Sequence, residues 1–104
     1  MQTAYSQEQI IRTKTIAKIV GDAKNILILY ELMNFGEKSF NELKRMTDIN
    51  AVTLSKKLSL LKSDGLVSNR KDGIENHYFL TTQAEEFRPI IKDIESLVIN
   101  KIRR

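Results

Sequence analysis

From residue 7 to residue 64 the apolar positions recur at three- and four-residue steps. Between 66 and 80 the spacing shortens to that of strands, and helical spacing returns after 82. Ser6 and Gln9 form a capping-box pair that opens a helix at Gln7, with Ile10, Ile16, Ala17, Ile19 and Val20 along it and Gly21 at its end. Asp22 caps a second helix, Ala23 to Met33. Its run Ile26-Leu27-Ile28-Leu29-Tyr30 is apolar on nearly every side, so it belongs in the middle of a core, and Phe35-Gly36 stops it. Asn41 caps a short helix, Glu42 to Thr47, with Leu43 and Met46 inward. After a tight connection at Asp48-Ile49, Asn50 caps a longer helix from Ala51 to about Asp64, and Gly65 terminates it. Leu66–Lys71 and Asn76–Leu80 then read as strands flanking the hairpin dipeptide Asp72-Gly73. Thr81 or Thr82 caps a last helix, Thr82 and Glu85 making a second capping box, and Pro89 predicts a kink or restart inside it. Ile90, Ile91, Ile94, Leu97, Val98 and Ile102 give this helix an apolar stripe.

The helix from Ala51 to Asp64 has two unlike faces. Leu54, Leu58 and Leu61 fall in one narrow arc and must face the core. Opposite them lie Val52, Lys56, Ser59 and Ser63, with Thr53 and Ser55 on the flanks and Lys57 beside them. That outer face holds no acidic residue, whereas an ordinary solvated helix carries glutamates to pair with its lysines. Small hydroxyls can meet base edges, lysine can reach guanine or phosphate, and the methyls of Val52 or Thr53 suit a thymine methyl.

Charge strengthens this picture. The chain has 104 residues and a net charge of +4. Lys38 to Lys71 hold eight cations against three carboxylates, a net of +5, so the positive charge is concentrated in one third of the chain. Lys44 and Arg45 precede the turn, where the first helix of a helix-turn-helix crosses the sugar–phosphate backbone. Asn69, Arg70 and Lys71 end the first strand at the hairpin tip, within reach of phosphate. The elements together predict a mostly α fold with a small β-hairpin wing, a winged helix-turn-helix occupying residues 1–104 as a single domain. Residues 41–64 form the helix-turn-helix, 66–80 the wing, and 7–20 and 82–103 the flanking helices.

Other classes lose ground. With no cysteine and only His77, thiolate metal sites, thiol nucleophiles and histidine-based acid–base catalysis have no residues to use, and no enzyme activity, metal or cofactor is expected. No apolar run approaches the ~20 residues that span a bilayer. The first residues lack the basic-then-apolar pattern of a secretory signal, and a cytoplasmic protein without membrane contact is expected.

The stretch from Ile19 to Ile94 resembles the HxlR-type winged-helix transcriptional regulators, relatives of the MarR group. The similarity is carried by LILYEL, SFNELKR, the leucine-spaced helix closing in KSDGLV, and YFLTT before a helix interrupted by Pro89. It implies a homodimer joined by N- and C-terminal helices and bound to a palindromic operator, with Phe40 on a short strand that pairs with the wing. Lys24 stands where the family usually has a tryptophan. The electrophile-sensing cysteine found near the N-terminus of several members is absent, so thiol sensing is excluded and any effector is unidentified.

Dimerisation is also expected from the stripe on the last helix, which is too apolar for a helix left in water. Ile10, Ile16, Ile91, Ile94, Val98 and Ile102 are its candidate interface. The expected partners are therefore double-stranded DNA and a second copy of the chain. Two rival functions share the fold: a non-specific architectural DNA-binding protein, and a winged helix used for protein–protein contact.

Overall fold

A computed structural model describes residues 4–102, with side chains described for residues 4–97. Helix α1 (Gln7–Val20) begins at Ser6, whose hydroxyl accepts from the Gln9 amide at 3.1 Å while the Gln9 side chain accepts from the Ser6 amide at 2.9 Å. Asp22 caps α2 (Ala23–Phe35) by accepting from the amides of Lys24 and Asn25. Strand β1 (Lys38–Ser39) leads into α3 (Phe40–Thr47) and then α4 (Ala51–Ser63). Strands β2 (Val67–Asp72) and β3 (Glu75–Leu80) form the hairpin. A 3₁₀ turn over Thr82–Phe87 precedes α5 (Arg88–Ile102).

The core is built from helices around α2. Ile28, Leu29 and Leu32 of α2 lie buried with Ile19, Leu43, Leu54, Leu58, Leu61, Leu66 and Val67. Each such side chain contributes about 1.5–3 kcal/mol by leaving water. The sheet is antiparallel in the order β1-β3-β2, with Lys38 opposite Tyr78 and Ser39 opposite His77 on one side of β3. On its other side Arg70 faces His77 and Asn69 faces Tyr78. The Thr81 hydroxyl donates to the Gly65 carbonyl at 2.5 Å and the Thr81 amide to the Leu66 carbonyl at 3.1 Å, tying the end of the hairpin to the end of α4.

Several expectations shift. The cap of α3 is Ser39, not Asn41: a second capping box, in which Ser39 and Glu42 bond reciprocally, starts the helix at Phe40. Phe40 therefore opens α3 and leaves the strand to Lys38 and Ser39. Met46 is 44% exposed rather than inward, because an eight-residue helix buries only the face of Leu43. The hairpin loop is Gly73-Ile74, one step beyond the expected dipeptide. Gly73 has φ 66° and Ile74 has no positive φ, the pattern of a type II′ turn with glycine first. The expected last helix does not open on a Thr82–Glu85 box: Thr81 caps a 3₁₀ turn by accepting from the Ala84 amide, Glu85 pairs with Arg88, and α5 starts at Arg88 with Pro89 in its first turn.

Gly36 ends α2 with φ 78° and ψ −162°, a conformation essentially reserved for glycine. A methyl group there would touch nothing within 4 Å, so the cost of a side chain is purely conformational. Gly36→Ala is expected to lower unfolding stability by about 1–3 kcal/mol in urea titration, with an unchanged denaturant slope.

Candidate nucleic-acid interface

The turn between α3 and α4 is made by Asp48, which adopts the left-handed conformation at φ 57°, and by buried Ile49. Asn50 then caps α4, accepting from the Thr53 amide at 2.9 Å. With Leu54, Leu58 and Leu61 fully buried, α4 is fixed in rotation about its own axis. Two ion pairs hold its inner side to the junction of α1 and α2: Lys57 to Asp22, and Lys18 to Asp64 at 3.1 Å.

This locking decides which residues face outward. Val52 is 69% exposed, Ser55, Lys56 and Ser59 are exposed, and Thr53 is half-buried at the edge of the same surface. Lys57, expected among them, is instead half-buried on Asp22, because its position on the helix turns it toward α2. It leaves the candidate set. Lys44 and Arg45 lie exposed on α3 before the turn. Among the described residues no ion pair involves Lys44, Arg45, Lys56 or Lys71.

Between α4 and the hairpin runs a polar cleft of about 240 Å³, lined by Ser55, Ser59, Lys62, Asn69, Asn76 and Tyr78. Asn69 donates to the Asn76 side chain at 3.1 Å, which fixes both amides at the cleft wall. Lys62 and Asn76 were not singled out as site residues from sequence. Lys62 could have been found, since it follows Ser55 and Ser59 along one helical face. Asn76 required the strand register. Ile74, 96% exposed, forms the hairpin tip.

Arg70 is placed differently from Lys71. Its guanidinium meets Glu37 with both oxygens, Nε at 3.1 Å from each and Nη2 at 2.6 Å from one. Arg70 accordingly holds the Glu37 carboxyl below its ordinary range, and Glu37 raises Arg70 in turn.

The expected dimer residues separate as well. Ile91 is only 2% exposed and packs in the chain's own core, because α5 docks along α2, and so offers no surface to a second copy. Ile10, Ile16 and Ile94 are half-buried, and Val98 and Ile102 lie outside the residues whose side chains are described. Leu27 and Leu97 stay exposed on α2 and α5, beside an apolar groove of about 280 Å³ lined by Ala23, Ile26, Leu27, Tyr30 and Ile94.

An HxlR-like helix-turn-helix matches residues 19–104. The chain belongs to this family. The fold of this chain recurs in solved structures. HlyU from Vibrio cholerae N16961 is 24% identical, with 90% of this chain and 99% of that one covered at a TM-score of 0.74. The transcriptional regulator HlyU from Vibrio vulnificus CMCP6 is 29% identical, with 88% and 93% covered at 0.72. The transcriptional repressor BigR from Xylella fastidiosa is 22% identical, with 90% and 97% covered at 0.71. No curated protein matches in sequence. As a member of the HxlR-like family the chain is a DNA-binding transcription regulator, not an enzyme. No described helix is long and apolar enough to cross a membrane.

The ion pair at the back of α4 has a pH signature. Lys57 holds Asp22 below its ordinary value of 3.8, aided by the capped amides and opposed by burial. Glu42 is lowered too, chiefly by the Ser39 amide, and Glu37 by Arg70. A carboxylate lowered in the folded state stabilises it above the unfolded value, and that contribution is lost as pH falls toward the folded one. The thermal midpoint should therefore hold above about pH 5 and decline below about pH 4. Asp22→Asn keeps a capping oxygen but loses the charge, so its midpoint should start lower and decline less steeply over the same range.

Proposed function

We propose that this HxlR-like chain acts in the cytoplasm as a homodimer on a palindromic operator in double-stranded DNA, with one α4 per half-site in the major groove. The observation that carries this reading is the outer face of α4, where Val52, Ser55, Lys56 and Ser59 stand exposed with no carboxylate among them. Serine hydroxyls can donate or accept at base edges, Val52 offers a methyl to thymine, and Lys56 reaches guanine or phosphate. Lys44 and Arg45 on one side, with Lys62, Asn69 and Lys71 on the other, supply cations and amides for the flanking backbones. The whole surface neutralises phosphate without an acidic residue on α4 to oppose it.

A second copy is supported by the apolar surface left on α2 and α5, where Leu27 and Leu97 are exposed beside the groove. Two-fold pairing would set the two α4 helices about 34 Å apart, one turn of DNA. In this reading Ile94, which lines the groove, and half-buried Ile10 and Ile16 of α1 belong to the dimer interface.

Selection of bound sequences from a random duplex pool should return an inverted repeat whose half-sites are about 10 base pairs apart. Equal affinity for selected and random duplexes at fixed salt would instead mark an architectural binder. Lys56→Glu should weaken binding about tenfold or more across all sequences. Ser55→Ala and Ser59→Ala should change which sequences are preferred. Leu97→Glu should shift the sedimentation mass toward that of one chain.

A further inference from the structure

The hairpin has two chemically distinct faces. Successive side chains alternate across a strand, and residues directly opposite one another share a face. The register therefore puts Asn69, Lys71, Asn76 and Tyr78 on one face, the one that lines the cleft with α4. Arg70, Asp72, Glu75 and His77 lie on the other. The first face carries no carboxylate. On the second, Arg70 sits among Glu37, Asp72 and Glu75, an excess of negative charge that would repel a phosphate.

Arg70 also crosses the sheet. It leaves edge strand β2, passes His77 on central strand β3, and ends on Glu37, two residues before its partner strand's Ser39. His77 lies beside the same carboxylate, its Nδ1 3.9 Å from Glu37 Oε2. One bidentate pair thus spans all three strands on the side away from α4. Bidentate guanidinium–carboxylate geometry fixes orientation as well as distance.

We infer that Arg70 is not a phosphate ligand but a positioning residue: with Glu37 it straps the wing to β1, so that the opposite, acid-free face of Asn69, Lys71 and Asn76 is presented to DNA. This rests on the DNA-binding reading above, and it reassigns the residue that the sequence placed on phosphate. Glu37 is thereby a functional residue although it is acidic and lies outside the helix-turn-helix.

The test uses the full chain with Glu37→Gln, Arg70→Ala, and the exchanged double variant Glu37→Arg/Arg70→Glu, which conserves net charge. Two readouts are taken: amide hydrogen exchange across β2 and β3 without DNA, and affinity for a selected duplex as a function of salt. A strap predicts faster exchange at the hairpin in each single variant and recovery in the exchanged one. It predicts a loss of affinity of about two- to fivefold in each single variant, the range expected from an exposed ion pair. The salt slope should stay unchanged, and the exchanged variant should regain affinity. Lys71→Ala, by contrast, should reduce the slope by about 0.9 per bound copy. The inference is overturned if Glu37→Gln tightens binding, if Arg70→Ala flattens the salt slope, or if hairpin exchange is the same in all variants. Failure of the wild-type chain to bind any duplex at low salt would sink the DNA-binding reading, while hydrogen exchange would still decide whether the strap orders the wing.

Discussion

Burial of Leu54, Leu58 and Leu61 against α2 is the constraint on which the rest depends. Three leucines on one arc leave α4 no freedom to rotate without exposing a large apolar side chain, at about 1.5–3 kcal/mol each. Once that arc is fixed, Val52, Ser55, Lys56 and Ser59 have only the solvent side to occupy. Lys57 and Lys18 reinforce the lock through carboxylates at the α1–α2 junction and at the end of α4. Partly exposed pairs of this kind add little energy beside the leucines, but they select one azimuth among near neighbours. The proposed reading surface is thus a by-product of core packing.

The wing follows from the same anchor by a different route. Leu66 and Val67 are buried directly after α4, so the hairpin leaves the core at a set place. Thr81 closes the loop back onto Gly65 and Leu66. Beyond these residues the strands leave the core, and polar contacts govern their position: Asn69 with Asn76 on the cleft side, Arg70 with Glu37 on the outer side. Polar contacts on both faces thus hold the hairpin beyond the core, which suits the role proposed for it of presenting one face to DNA.

Most helices were legible because caps and leucine spacing are local signals. Ser6, Asp22 and Asn50 act where their side chains can reach amides two or three residues on, and the sequence alone shows that reach. At α3 the expected cap Asn41 lies two residues inside the helix, because Ser39 and Glu42 hold the three-residue spacing of a capping box and Asn41 is of the same capping type. The hairpin turn slipped by one residue because Asp72-Gly73 and Gly73-Ile74 each put a glycine at a permitted position, and only the paired register chooses. The destinations of Lys57 and Arg70 were not legible. Each is a cation whose partner lies more than thirty residues away in sequence, so charge counts place it on the surface and only the assembled fold shows which acid it meets. Ile91 misled for a related reason, an apolar stripe on a terminal helix being unable to say which of its members its own domain consumes.

Residue-resolved amide chemical-shift mapping of the chain on titration with a selected duplex tests the central claim most directly. The account predicts shifts concentrated at Val52, Ser55, Lys56 and Ser59, extending to Lys62, Asn69, Lys71 and Asn76. Shifts confined to α2 and α5, with α4 unperturbed as DNA binds, would contradict it.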